Sequence, residues 1–266
     1  VPWTLFDIQF ALPVYALVLF RVSGLALAAP VFSSRVIPGR VRAALVITLA
    51  AMLFPLVASQ APRELSWSGA IVGAAGEMMI GLTIGLCLAL FVFGVEVAGL
   101  MVGRQAGLAL GEVFDPNTNN QGSIMGQVYT ISLMTLFLLV GGHRATVAAL
   151  LDTYTALPLL SFRMDESIVM LLVDLLTAAF VLGIRVAGPV LIAMFLIGTA
   201  MGVLSRTMPQ FNILSVGFTV RVLVAIGVAG FALAGCQDLF LDAIWSTFET
   251  VRTGLGMDPY PVGLVS

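Results

Sequence analysis

The sequence predicts an all-α membrane protein of about six long, kinked apolar helices, and three observations predict it. The 266-residue chain is 60% hydrophobic and only 10% charged, where a soluble domain carries about 25% charged residues. Apolar runs fall at about 8–31, 43–58, 69–101, 128–151, 167–204 and 211–236, on the scale of the ~20 residues that cross a bilayer as a helix. No long polar segment separates them, so the bundle is the mass of the protein, read as a single domain over 1–266.

The first run is too long for a cleaved signal peptide and lacks a basic n-region, so it reads as a genuine helix. A short basic loop follows, Ser33-Ser34-Arg35-Val36-Ile37-Pro38-Gly39-Arg40-Val41-Arg42. The second run is short for ~30 Å of hydrocarbon, and the third and fifth are long. The third contains Glu77 and Glu96, and the fifth contains Asp174 and Arg185. Charges inside spans are expensive and face protein or water rather than lipid, so these segments are expected to contact other proteins. Gly188-Pro189 is expected to kink the fifth run. Ser205-Arg206-Thr207-Met208-Pro209-Gln210-Phe211-Asn212 breaks the fifth run from the sixth, because Pro209 cannot continue a helix. Beyond the sixth, Asp238, Asp242, Glu249 and Arg252 alternate with Leu239, Leu241, Ile244, Trp245 and Phe248, the pattern of an amphipathic helix within about 237–266.

Glycines mark the third run. Gly69, Gly73, Gly81 and Gly85 read as ordinary helix packing. Gly99, Gly103, Gly107 and Gly111 then form a ladder at four-residue spacing, which places small residues on one helix face and lets a neighbouring backbone approach. The ladder leads into Glu112, Val113, Phe114, Asp115, Pro116, Asn117, Thr118, Asn119, Asn120, Gln121 and Gly122. Asp, Pro and Asn are turn formers. Two readings stay open: an ordinary exposed loop, or a polar loop lining or plugging a conduit. Irregular backbone at membrane depth is tolerated only inside protein or against water.

Enzyme classes find little support. His143 is the only histidine, which excludes multi-histidine metal sites; no Walker loop and no GxSxG elbow is present. No cofactor is implied. Cys87 and Cys236 lie far apart in apolar stretches and read as core residues. A net charge of −2 does not argue for nucleic acid. A stand-alone small-molecule or ion transporter is the rival, with Glu77, Glu96, Asp174 and Arg185 as coupling groups. It predicts inverted repeats with paired broken helices, and none is evident. If all six runs cross, Arg35, Arg40 and Arg42 put their loop in the cytoplasm.

Ala29-Pro30-Val31-Phe32-Ser33-Ser34-Arg35-Val36-Ile37-Pro38-Gly39-Arg40-Val41-Arg42 resembles a signature of the flagellar biosynthetic protein FliR family. So do Gly107-Leu108 through Phe114-Asp115-Pro116, Gly141-Gly142-His143, and Leu151-Asp152-Thr153-Tyr154 with Leu157-Pro158. Leu204-Ser205-Arg206-Thr207-Met208-Pro209-Gln210-Phe211-Asn212-Ile213-Leu214-Ser215-Val216-Gly217-Phe218 is similar to a fifth family stretch. The matches run in order over about 30–218; Gly142, Thr219 and Arg221 depart from the usual residues. The resemblance implies one non-enzymatic subunit of the type III protein export gate, its helices bent into one step of a helical assembly. Implied partners are FliP-like, FliQ-like and FlhB-like subunits, the flagellar basal body, unfolded export substrates and lipid, in the bacterial inner membrane. It implies that about 110–127 plugs the closed pore, and that Arg35, Pro38, Arg40, Arg206, Pro209, Gln210 and Asn212 belong to family-motif loops. The injectisome counterpart shares this architecture.

Overall fold

The computed structural model describes residues 5–34, 37–58, 67–108, 123–161, 166–208 and 213–257. Among them nine helices form and no strand. In chain order they are α1 (Leu5–Ala28), α2 (Pro30–Ser33), α3 (Gly39–Val57), α4 (Trp67–Gln105), α5 (Ile124–Leu139), α6 (Gly142–Ala156), α7 (Glu166–Thr207), α8 (Ile213–Gly235) and α9 (Gln237–Gly254). Five contain stretches long and apolar enough to cross a membrane, and α5 with α6 makes up to six if that pair is one span. The protein is therefore an all-α membrane protein. The fourth apolar run is two helices because Gly141 stands between them at φ 84°, a left-handed conformation that glycine adopts without steric cost.

α4 has 39 residues and α7 has 42, roughly 60 Å each at ~1.5 Å per residue. That is about twice the ~30 Å hydrocarbon thickness. α7 runs through Gly188-Pro189 as one helix.

The chain divides into two compact units, which α4, α7 and α9 each enter in turn. The first comprises Val1–Leu90, Gly141–Leu175 and Trp245–Ser266. Here α1 and α4 approach at backbone distance. A Cβ on Gly24 would lie 2.8 Å from the Leu82 nitrogen, and one on Gly81 2.9 Å from the Leu25 nitrogen. Gly85 repeats the pattern one turn on, 2.8 Å from Ala28 Cβ. Small residues thus do here what they do between membrane helices generally, removing the side chains that would hold two backbones apart. α3 packs on α1, where the Tyr15 hydroxyl donates to the Ile47 carbonyl at 3.2 Å and its ring meets Phe54 edge-on at 6.0 Å. In the part of α9 that belongs to this unit, Phe248 and Val251 are buried while Glu249 is exposed. The apolar face of this part of α9 is thus covered by the protein itself.

The second unit comprises Phe91–Val140 and Leu176–Ile244. Its close crossing of α4 with α7 uses two glycines. A Cβ on Gly183 would sit 2.7 Å from the Gly94 carbonyl oxygen. Phe93 and Phe180 meet edge-on beside it at 6.4 Å. The span-length stretches of α3, α7 and α8 are only 22%, 28% and 22% buried, so most of their apolar surface is available to lipid or to other proteins.

Candidate functional site

Two constructions stand out, one in each unit. In the first unit, Arg21 and Glu77 form an ion pair with no exposure on either side chain. Glu77 precedes Gly81 by one helical turn, so the glycine contact that brings α1 against α4 also brings the two charges together. Arg21 Nε donates to Glu77 Oε2 at 2.6 Å, and its terminal nitrogens donate to Thr153 Oγ1 at 3.2 Å and to the Leu157 carbonyl at 3.0 Å. The remaining carboxylate oxygen, Glu77 Oε1, accepts the Leu160 backbone N–H at 2.8 Å. The guanidinium carbon lies 4.2 Å from the centroid of the Tyr154 ring, within cation–π range. Leu157 follows directly on α6, so its carbonyl is one of the acceptors a helix end leaves without an intrahelical donor. Leu160 is held at φ 69°, uncommon for a non-glycine residue.

A buried charge pair is tolerable only with good geometry and with its remaining donors and acceptors satisfied. This one meets that condition, and it ties α1, α4 and the 157–161 turn together. It is a clamp. Glu77 is enclosed by Arg21 and the Leu160 amide and has no exposed surface with which to take up a solute. A second pair in this unit, Arg252 with Asp152, is of a different kind, because the Asp152 side chain is 43% exposed.

In the second unit, the glycine ladder packs α4 on α5. A Cβ on Gly99 would lie 2.6 Å from the Gly126 nitrogen, and one on Gly103 would run into the Ser123 hydroxyl. That hydroxyl lies 3.4 Å from the Gly99 carbonyl. α4 ends at Gln105, so Gly107 is not on the helix face with the other two; it stands beyond the helix end at φ 84°, with Phe218 of α8 3.3 Å from where a Cβ would project. Gly111 lies outside the described residues, as do Glu112, Phe114, Asp115, Pro116, Asn117, Thr118, Asn119, Asn120, Gln121 and Gly122. What the structure places is the frame on either side of that tract: Gly103 at its entry and Ser123 at its exit meet at the same crossing.

The motif loops are partly described. Pro38 precedes α3 at its N-cap, Arg40 is exposed in the first turn of α3, and Arg206 is exposed in the last turn of α7. Arg35, Pro209, Gln210 and Asn212 lie outside the described residues. Arg42 donates to the Ser33 and Ser34 carbonyls at 3.0 and 2.9 Å, closing the end of α2. Arg21 and Leu160 are missing from the sequence reading. The one available signal was an arginine alone inside the run 8–31 with Glu77 as a possible mate. Among the described residues, no group of three or more His, Cys, Asp or Glu side chains could hold a metal ion.

Residues 12–247 match the family described as bacterial export proteins, family 1. The chain belongs to this family. It is similar to the flagellar biosynthetic protein FliR of Caulobacter vibrioides, 27% identical over 89% of this chain and 95% of that one. It is similar to the FliR of Bacillus subtilis, 26% identical over 92% and 95%. Yop proteins translocation protein T of Yersinia pestis is 28% identical over 82% of this chain and 85% of its own. The family match takes in both the buried clamp and the glycine crossing, so the two constructions lie within this bacterial export protein's family region.

Proposed function

We propose that the chain is a structural and gating subunit of the flagellar type III protein export gate. It forms part of the conduit for unfolded flagellar proteins, in the bacterial inner membrane at the flagellar basal body, and carries out no bond chemistry. The observation that carries this is the family match over 12–247 together with FliR relatives aligned along nearly their whole length. The geometry supports it. Three span-length stretches leave most of their surface uncovered, as a subunit embedded among FliP-like, FliQ-like and FlhB-like neighbours requires. The whole chain acts as one export-gate domain, since the family match crosses both compact units.

The segment 110–127 is the plug of the closed pore in this reading, with Glu112, Phe114 and Asp115 through Gly122 occupying the conduit until a substrate displaces them. Its support is the close crossing of Gly99 and Gly103 with Gly126 and Ser123, which brings together the two helices that flank the polar tract.

Removing the gene from its host and measuring flagellar subunits in the culture medium tests the function. Export should fall to background and return with a plasmid copy; undiminished export from the deletion strain rejects the reading. The relative from Yersinia pestis favours one second reading, the injectisome counterpart of the same gate. In that case motility survives deletion and secretion of another protein set is lost.

A further inference from the structure

Glu96 sits inside the longest apolar stretch of α4, Gly73–Gln105, and its side chain is exposed. The two ion pairs among the described residues belong to Arg21 and Arg252, and Glu96 makes neither an ion pair nor a hydrogen bond there. It lines a groove of about 470 Å³ that opens beside the Gly99–Gly126 crossing, between Phe93 and Leu100 of α4 and Gln127, Thr130 and Ile131 of α5. Thr130 Oγ1, on the opposite wall, is buried with no hydrogen-bond partner. Lipid tails satisfy neither group, and an unpaired carboxylate in a span is costly enough that such residues face protein or water.

The tract from Ala109 to Gly122, which leaves α4 and returns at Ser123, contains no Lys, Arg or His and carries two carboxylates of its own. It offers Glu96 no counter-charge. We infer that this groove is a docking seat for a membrane-embedded helix of a neighbouring subunit, one that presents a Lys or Arg side chain to Glu96. The inference rests on the export-gate reading, which supplies such neighbours. Charge complementarity selects the partner, because the apolar walls set by Phe93, Leu100 and Ile131 take the helix face while the exposed Glu96 and Gln127 take its polar group. An acidic or wholly apolar helix would leave the carboxylate unpaired.

The test is the yield of assembled complex when full-length protein is co-expressed with its cognate export-gate subunits, for wild type, Glu96→Gln, Glu96→Ala and Glu96→Arg. Glu96→Arg is expected to lower the yield about tenfold or more, Glu96→Ala less, and Glu96→Gln least. Glu96 has no ion-pair or hydrogen-bond partner among the described residues, so the melting midpoint of the isolated protein should stay within about 2 °C of wild type, separating lost docking from lost folding. Replacing one intramembrane Lys or Arg of a partner with Glu should then restore assembly of Glu96→Arg. Wild-type yield for both Glu96→Ala and Glu96→Arg overturns the inference. So does a loss that no partner charge reversal rescues, or crosslinks from position 131 that reach only a second copy of this chain or a lipid amine. If the wild-type chain joins no such complex, the export-gate reading itself fails; if it does and Glu96→Arg joins equally well, only this inference fails.

Discussion

Arg21 and Glu77, separated by 56 positions in sequence, meet across 2.6 Å with neither side chain exposed. The contact is possible because Gly81, one turn from Glu77, brings the backbone of α4 against that of α1 beside Arg21. Thr153, the Leu157 carbonyl and the Leu160 amide complete the set of partners. Packing and electrostatics are therefore one construction. The small residue sets the distance, the charges fix the register, and the polar atoms of the 153–160 segment satisfy what the pair leaves over.

Breaking this pair on one side should be far worse than removing it whole. Arg21→Met or Glu77→Leu alone is expected to cost about 3–5 kcal/mol, because each leaves a buried charge unpaired. The double variant Arg21→Met/Glu77→Leu should recover a large part of that loss. Melting of the purified protein in detergent, across the four-member cycle, measures it; equal additive losses would show that the pair is not coupled.

Asp152 should behave differently. Its partner Arg252 is 9% exposed but its own side chain is 43% exposed, so water already solvates and screens the carboxylate, and the pair contributes less than one with both charges buried. Asp152→Asn should therefore shift the melting midpoint much less than Glu77→Gln in the same assay.

Gly99 and Gly202 make a matched contrast. A methyl group on Gly99 meets the backbone of Gly126 and Met125, while nothing lies within 4 Å of one on Gly202. Backbone cannot move aside as a side chain can, so Gly99→Ala is expected to cost about 1–3 kcal/mol by overpacking. Gly202→Ala is expected to be neutral or slightly stabilising in the isolated chain, since alanine loses less backbone entropy on folding.

At Gly107 the backbone angle adds to a close contact, with Phe218 3.3 Å from where a Cβ would project. Any other residue at φ 84° enters the left-handed region at a cost of roughly 1–2 kcal/mol. Asn tolerates that region better than branched residues. Gly107→Asn should therefore retain more stability and more protein yield than Gly107→Val.

Deleting Asn117 to Gly122 tests the plug. Assembly should survive, and vesicles holding the complex should pass ions in the absence of substrate. A complex that assembles and stays as tight as wild type would contradict the plug.

The six apolar runs were legible because hydropathy depends only on local composition, and each of them became a helix or, at 128–151, a broken pair. The break was present in the sequence only as Gly141-Gly142, where a left-handed turn and a close helix contact look alike. The glycine spacing showed that something approaches α4, but not what: Gly99 and Gly103 meet α5 of the same chain, and Gly107 has left the helix altogether. Four-residue spacing carries no mark of the helix ending at Gln105. The Arg21–Glu77 clamp was illegible for a related reason. Each residue reads singly as a misplaced charge, and only the α1–α4 register makes them a pair.

The most direct test of the central claim is native mass spectrometry of the chain co-expressed with its FliP-like and FliQ-like neighbours. The export-gate account predicts one copy of this protein within a single large complex containing both. A stable monomer or homodimer that excludes those neighbours would contradict it and return attention to a transporter that works alone.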